Sequence, residues 1–291
     1  MSWSVSATSS AVKTIDIEYK SNGEWEQWGL ISSDRHIDNP HSDLVMQRKH
    51  LQQAKERNAF VIDTGDLFCA MQGKFDKRSY KPDLNDENKV GDYLGSLVRS
   101  GLKLFEPFKE NLAIIGEGNH ESSVRKRAEF DLTQALVDRL HDKGSMVAIG
   151  GYRFWVRFKF NNKSKTNQYR QTLNMYCTHG GGGGGPVTKG VIKTNRRAVY
   201  LPDAHIVTGG HIHESWLVEL TRARLSTNGK EFQDTQTHVS LPTYKQEFIG
   251  SDAGYHHENE RPPKPLGAWW IRFYFDRSKS KKIQYELQRA R

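Results

Sequence analysis

The chain has 291 residues, and a hydrophobic content of 36% with 31 aromatic residues excludes an intrinsically disordered protein. No stretch approaches the roughly 18 consecutive apolar residues of a membrane-spanning helix, so we expect no membrane contact. The net charge of +9 favours polyanionic partners, above all nucleic acid, over the alternative of a merely soluble basic protein.

The first half of the chain alternates predicted strands and helices. Residues 1–15 are Ser-rich in their first ten positions, and we expect a loose segment. Two strands then flank a hairpin turn at Asn22-Gly23. Helical spacing of apolar residues predicts helices within 42–57, with Ser42 as the cap, and within 85–110 and 124–143. Short apolar strands separate these helices, so the alternation predicts right-handed crossovers and a mainly parallel sheet.

The second half is rich in predicted strands. Six strand-like segments follow residue 150, separated by hairpin candidates and by one run of six glycines, Gly180 to Gly185. We interpret the glycine run as a flexible connector, the alternative being a loop that approaches a ligand closely. Since no Pro/Gly/Ser linker divides the halves, we predict one domain over residues 16–291, although two smaller domains are the alternative.

Polar side chains follow five predicted strands, at the point where each strand ends. They are Asp34 and His36, then Asp66, then Asn119, His120 and Glu121, then His179, and finally His211 and His213. Ligands of open α/β sheets bind outside the carboxyl ends of the strands, so we expect these side chains to converge. Each one alone has a simpler explanation as a helix cap, a turn residue or a surface histidine.

Two carboxylates, one amide and four histidines are the ligands of a site for two divalent cations. Oxygen and imidazole ligands without thiolate suit manganese, iron or zinc rather than a structural zinc site. The two cysteines, Cys69 and Cys177, fit no ligand role and are too few for a disulfide framework. Together with an N-terminus that lacks the order of a secretory signal, they predict a reducing, cytoplasmic setting.

The order of the motifs resembles the calcineurin-like metallophosphoesterase superfamily. The matching blocks are D-x-H at 34–36, G-D at 65–66, G-N-H-E at 118–121, a single histidine at 179 and G-H-x-H at 210–213. The resemblance implies an α/β fold, a four-layer α/β/β/α sandwich of two mixed β-sheets flanked by helices.

The same resemblance implies the roles of the site residues. One metal ion would be held by Asp34, His36 and His213, the other by Asn119, His179 and His211, and both by Asp66. The ions would be Mn²⁺, with Fe, Zn or Ni as alternatives. A hydroxide that bridges them would attack phosphorus, His120 would assist the leaving group, and Glu121 would orient the ring of His120. We interpret Asp63 as structural, and we leave Asp38 out of the site.

Basic residues near the predicted crevice bear on the substrate. Substrate-binding candidates are Arg125, Arg127, Lys193, Arg196 and Arg197, and further basic residues are Lys74, Lys77, Arg78, Lys81 and Lys189. If they are functional rather than parts of solvated faces, they would bind a phosphate backbone.

Three branches of the superfamily compete. "GDLF" and "GNH" resemble SbcD-type nucleases, although Cys69 stands where those have a histidine. "GNHE" resembles the Ser/Thr protein phosphatases, but the two arginines of their motifs are missing. The third branch is phosphodiesterases of cyclic nucleotides and dinucleotides. We therefore predict a phosphodiesterase acting on nucleic acid, a nuclease. The alternatives are a phosphodiesterase or phosphomonoesterase of small nucleotides and a catalytically inactive metal-binding accessory protein.

Overall fold

The computed structural model describes residues 2–19, 25–72, 79, 84–163, 170–185, 187–249, 260–279 and 281–291. The helices are α1 (Leu44–Glu56), α2 (Tyr93–Phe105), α3 (Asn119–Ala128), α4 (Leu132–Asp142) and α5 (Lys193–Tyr200), and short 3-10 helices span Asp86–Asn88 and Glu106–Phe108. The strands are β1 (Trp3–Ala7), β2 (Val12–Tyr19), β3 (Glu26–Ser32), β4 (Phe60–Asp63), β5 (Leu112–Gly116), β6 (Ala148–Gly151), β7 (Arg153–Asn162), β8 (Arg170–Thr178), β9 (Ile206–Gly209), β10 (Trp216–Leu225), β11 (Glu231–Ser240), β12 (Ala268–Phe275) and β13 (Ile283–Ala290).

The first sheet has six strands in the order β13-β12-β3-β4-β5-β6. β3, β4, β5 and β6 are parallel, as the alternation of strands and helices predicts, and β12 and β13 add two antiparallel strands at one edge. Because β3, β4 and β5 are parallel neighbours, the turns that follow them leave the sheet at the same edge.

The second sheet has seven strands in the order β1-β2-β7-β8-β9-β11-β10. It is mixed: β8 pairs with β9 and β9 with β11 in parallel, whereas β7 and β8 form an antiparallel pair. The turns after β8 and β9 therefore also leave at one edge.

The two sheets pack face to face between helices. Along β3 and β4, Leu30 and Val61 point into the apolar cluster under the helices, and Ile31 and Ile62 point into the cluster between the sheets. A smaller cluster that includes Leu201 and Val207 lies outside the second sheet, at the end of α5. The structure confirms the predicted fold class of two mixed sheets flanked by helices. None of the helices within the described ranges is long and apolar enough to cross a membrane.

The N-terminal segment differs from its prediction. Residues 3–7 form β1, which pairs antiparallel with β2, where we expected a loose segment. Trp3 explains the difference: its ring is buried edge-on against Phe60, and its Nε1 donates to the carbonyl oxygen of Asn58 at 3.0 Å. The predicted turn at Asn22-Gly23 lies outside the described residues. The predicted hairpin around it is wrong, because β2 belongs to the seven-stranded sheet and β3 to the six-stranded sheet. The single domain over 16–291 stays a prediction.

Three helix predictions also differ in detail. Asp43, not Ser42, caps α1, and its carboxylate accepts from the amide of Met46 at 2.8 Å. The helix expected over 124–143 is two helices, because Glu129 adopts a left-handed backbone (φ 53°) and Asp131 then caps α4. The strand pattern of the second half gave no sign of α5, which follows the glycine run.

Candidate metal centre

The five turns that carry the predicted ligands meet between the two sheets. Nε2 of His213, from the turn after β9, lies 3.1 Å from Oδ1 of Asp34 in the turn after β3. The backbone amide of His211 donates to the other oxygen of Asp34 at 2.9 Å. Nε2 of His179, after β8, lies 3.1 Å from Oδ2 of Asp66, after β4. Side chains far apart in sequence thus meet because both sheets end at the same place.

The ligand atoms form two groups within the part of the chain that the structure describes. Asp34, His36 and His213 form one, and Asp66, His179 and His211 form the other; within each group the ligand atoms lie within 4.8 Å of one another. Asp66, the predicted bridge, belongs to the second group, while its carbonyl oxygen accepts from the amide of His36 at 3.1 Å. Both groups could hold a metal ion.

Asn119 joins the second group. Its Oδ1 lies 3.1 Å from Nε2 of His179 and 2.6 Å from Nδ1 of His211. Turning the amide over would instead let its NH₂ donate to both rings and to Asp66. In the first orientation three atoms with lone pairs face one another, which is favourable when they coordinate a cation between them. In the turned orientation the NH₂ group donates hydrogen bonds instead, which is favourable when no cation is bound.

The backbone at five of the predicted ligands is in the left-handed region. They are Asp34, His36, Asp66, His211 and His213, with φ between 47° and 73°. Such residues cost about 1–3 kcal/mol each and persist only where the surrounding structure enforces them. Ten non-glycine residues in the described ranges have positive φ, so half of them lie at this site. The fold holds these side chains in place at the expense of stability.

Two motif glycines make room for the carboxylates. A Cβ atom on Gly118 would lie 2.0 Å from Oδ1 of Asp66, and one on Gly210 would lie 2.3 Å from Oδ2 of Asp34. Neither glycine has a positive φ, so close approach rather than backbone conformation requires them. The glycines of G-N-H-E and G-H-x-H therefore each seat a carboxylate from another motif.

The charges of the site fit divalent cations. Burial alone would raise the pKa of Asp34, but the charge and hydrogen bond of His213 outweigh it and lower the pKa to about 2. Burial likewise would raise the pKa of Asp66, and the charges of His120 and His179 lower it. Two buried carboxylates therefore remain ionised side by side, surrounded by imidazole and amide donors. Two buried anions need positive charge, which this donor set can bind as metal ions.

The structure gives His120 a different orienting partner from the expected one. Nδ1 of His120 lies 2.5 Å from the carbonyl oxygen of Cys69, so Nε2 points toward the centre, 3.7 Å from Oδ2 of Asp66. Glu121 instead accepts hydrogen bonds from the amides of Asp66, Phe68 and Gly118 at 2.8–3.1 Å. Glu121 therefore fixes the turns that carry the ligands, and the carbonyl of Cys69 orients His120.

Cys69 also contacts a candidate ligand directly. Its Sγ lies 3.2 Å from Nδ1 of His36, on the side of the ring away from the centre. Ligand histidines commonly use their second nitrogen in such a contact, which fixes the ring. Asp38 anchors the same turn, because its carboxylate accepts from the amides of Cys69 at 2.6 Å and Ala70 at 2.9 Å. No feature of the sequence pointed to this role of Cys69.

Asp63 contacts the residue between two of the predicted ligands. Its Oδ2 accepts from Nε of Arg35 at 2.7 Å and from Oγ of Ser32 at 2.8 Å. Arg35 is fully buried, and its guanidinium lies over the rings of Phe105 and Tyr244. The structural interpretation of Asp63 agrees with this pairing. Arg35 was missed because a single arginine in a turn carries no sign that it is buried.

The predicted substrate-binding residues divide into two sets. Lys193 and Arg197 line a narrow space together with Gly180, Gly181 and Gly210, and Gly210 directly precedes His211 in the chain. Arg125 instead pairs with Glu117 at 3.0 Å and Asp131 at 3.5 Å. Arg127 and Arg196 are exposed on α3 and α5. The remaining candidates Lys74, Lys77, Arg78 and Lys81 lie outside the described residues.

No protein-family model matches the sequence, and no curated protein matches it. Several solved structures are similar to the chain over most of its length. Vps29 from Entamoeba histolytica, complexed with Zn²⁺, is 8% identical (TM-score 0.35), covering 91% of this chain and 100% of its own. Vps29 from Chaetomium thermophilum is 10% identical (TM-score 0.33), and the match covers 90% of this chain and 96% of that one. GAP50, the anchor in the inner membrane complex of Plasmodium, is 11% identical (TM-score 0.43), and the match covers 91% of this chain and 85% of that one. At these values the likeness assigns no activity to the chain.

Proposed function

We propose that this protein is a dinuclear-metal phosphoesterase that hydrolyses phosphodiester bonds, with nucleic acid as its substrate. The observation that carries the proposal is the meeting of two groups of ligand atoms between the sheets, each within 4.8 Å. One of the cations would be held by Asp34, His36 and His213. The other would be held by Asp66, His179 and His211 together with Asn119.

Divalent cations in such a pair of sites supply charge neutralisation for a phosphoryl group and a water nucleophile at neutral pH. The side chains of the protein contribute position and a proton. The carbonyl of Cys69 holds Nδ1 of His120, which leaves Nε2 directed at the centre. When Nε2 of His120 is protonated, it donates its proton to the departing oxygen. The leaving group therefore departs as a neutral alcohol.

Charge supports a polyanionic substrate. Lys193 and Arg197 line a space together with Gly210 and Ile212, the two chain neighbours of His211, and would contact phosphate oxygens of the substrate there. Among the described residues Lys193 also donates to the carbonyl oxygen of Gly181, so it connects α5 to the glycine run. The chain as a whole carries a net charge of +9. A phosphodiester backbone carries the matching negative charge.

Hydrolysis assays test the proposal. Protein stripped with EDTA and reconstituted with Mn²⁺ should hydrolyse bis-p-nitrophenyl phosphate and single-stranded DNA faster than the monoester p-nitrophenyl phosphate. Parallel reconstitution with Fe²⁺, Zn²⁺ and Ni²⁺ ranks the metals. Turnover of the monoester alone would contradict the diesterase assignment. No turnover of any of the three substrates with any metal, combined with normal metal binding, would favour an inactive metal-binding protein.

A further inference from the structure

A cavity of about 510 Å³ opens beside the candidate metal centre, and none of the predicted metal ligands lines it. Its lining includes Glu214, Ser215 and Trp216, which follow His213 directly, and Lys264 between Pro263 and Pro265. The volume lies within the roughly 300–1,000 Å³ that is typical of small-molecule sites. We define this space as the Trp216 cavity.

The walls of the Trp216 cavity suit a flat aromatic group. Trp216 forms one wall, and its Nε1 donates to the carbonyl oxygen of Lys189 at 2.9 Å, which fixes the plane of the indole. Val187 and Val191 add aliphatic surface, as do the two prolines. A fixed indole can stack on a planar ring at little cost in conformational entropy.

The polar groups of the cavity form one donor next to one acceptor. Nζ of Lys264 lies 2.5 Å from Oε1 of Glu214, and the two side chains are only 15% and 11% exposed. Oε2 of Glu214 accepts no hydrogen bond from any residue in the described ranges, and Glu214 lines the cavity. An ammonium group has three N–H donors, so Lys264 retains donors beyond its bond to Glu214.

A ligand that satisfies both groups presents a carbonyl oxygen next to an N–H. Lys264 would donate to the oxygen, and Oε2 of Glu214 would accept from the N–H. Guanine, uracil and thymine carry this keto edge on a flat ring. Adenine lacks the carbonyl oxygen. Since Lys189 and Lys264 outnumber the one carboxylate, the cavity also favours a ligand that carries negative charge.

The position of the cavity connects this ring to the phosphate chemistry. His213 belongs to one group of ligand atoms, and Glu214 follows it in the chain, so their Cα atoms are about 3.8 Å apart. We propose that the Trp216 cavity binds the keto nucleobase of a nucleotide whose phosphate lies at the metal centre. This inference rests on the proposed function for the phosphate and adds a preference for the base.

Binding and hydrolysis separate the two proposals. Metal-free protein in EDTA should bind GMP about tenfold more tightly than AMP by isothermal titration calorimetry. Glu214→Gln should weaken GMP binding by about tenfold and leave AMP binding unchanged, because the charge-assisted hydrogen bond to the N–H is lost. Glu219→Gln is the matched control, since Glu219 is exposed on β10 outside the cavity. Trp216→Leu should weaken the binding of both nucleotides.

Equal affinity for GMP and AMP, or the same loss of GMP binding in Glu219→Gln as in Glu214→Gln, would overturn the base site. Bis-p-nitrophenyl phosphate contains no nucleobase, so its hydrolysis tests the proposed function alone. It should be unchanged within about twofold in the control Glu219→Gln, because Glu219 lies outside the cavity and belongs to neither group of ligand atoms. If this diester is not hydrolysed while GMP selectivity is present, the proposed function fails and the base site stands. If a circular dichroism spectrum shows that Trp216→Leu does not fold, Glu214→Gln, which keeps the size of the side chain, decides the question.

Discussion

Removing the charge of Asp63 should destabilise the protein strongly. Oδ2 of Asp63 is 2.7 Å from Nε of Arg35, and both side chains are at most 2% exposed. The substitution Asp63→Asn keeps the size of the side chain but leaves the guanidinium of Arg35 buried without its counterion. Breaking a buried pair in this way costs about 3–5 kcal/mol.

The cost follows from what remains around the guanidinium. Arg35 keeps hydrogen bonds to Oγ of Ser32 at 2.8 Å and to Oε1 of Gln47 at 3.2 Å, together with the faces of Phe105 and Tyr244. These groups are neutral and do not replace a carboxylate. The loss should appear as a fall in Tm of roughly 6–15 °C.

Chemical denaturation monitored by circular dichroism measures the effect, with the m-value as a check that both proteins unfold alike. The matched control is Asp142→Asn, whose partner Arg139 lies 3.8 Å away on the surface of α4. Removal of that exposed pair should cost less than about 0.5 kcal/mol. A loss below about 1 kcal/mol for Asp63→Asn would refute the reasoning, as would an equal loss in the control. Joint replacement by Arg35→Met and Asp63→Leu should recover most of the stability.

Three further predictions concern the site and the core. Asp66→Ala should lose bound Mn²⁺ and activity, whereas His120→Ala should keep the metal and lose about 10²–10⁴-fold in kcat, as measured by metal analysis and turnover; normal metal binding by Asp66→Ala would contradict the ligand assignment. Cys69→Ala should weaken Mn²⁺ binding by about 10–100-fold in calorimetry, because Nδ1 of His36 loses its partner at 3.2 Å. Burial lowers the pKa of His50 to about 4, so the folded protein resists its protonation and loses stability as the pH falls from 6.5 toward 4. Between pH 7 and pH 5 the free energy of unfolding of His50→Gln should therefore fall by about 1–2 kcal/mol less than that of the wild type, as measured by denaturant titration. An identical fall in both proteins would exclude His50 as the cause.

Local patterns carried most of the fold prediction. The alternation of apolar strands and helices predicted the parallel strands β3, β4 and β5, and the structure confirms the two-sheet fold class. The errors lie where local sequence and tertiary packing disagree. Trp3 makes a strand of a Ser-rich segment because its ring reaches Phe60, and Glu129 interrupts a helix whose apolar spacing continues through it.

Within the candidate site, the sequence indicated the metal-ligand candidates better than the hydrogen-bond partners of the residues around them. The structure brings Nε2 of His213 within 3.1 Å of Asp34 and Nε2 of His179 within 3.1 Å of Asp66. It does not place Glu121 against His120, because the carboxylate is taken by backbone amides. Hydrogen bonds of the main chain leave no trace in the type of residue, so this role could not be predicted.

The sequence by itself determined which atoms are available for chemistry and that they follow strand ends, since strand period and turn composition are local properties. The tertiary structure alone decided which of these atoms meet. The contact of Cys69 with His36 and the pair of Glu214 with Lys264 join residues 33 and 50 positions apart. Such contacts depend on how two sheets pack against each other, and this packing results from the whole core rather than from any one segment.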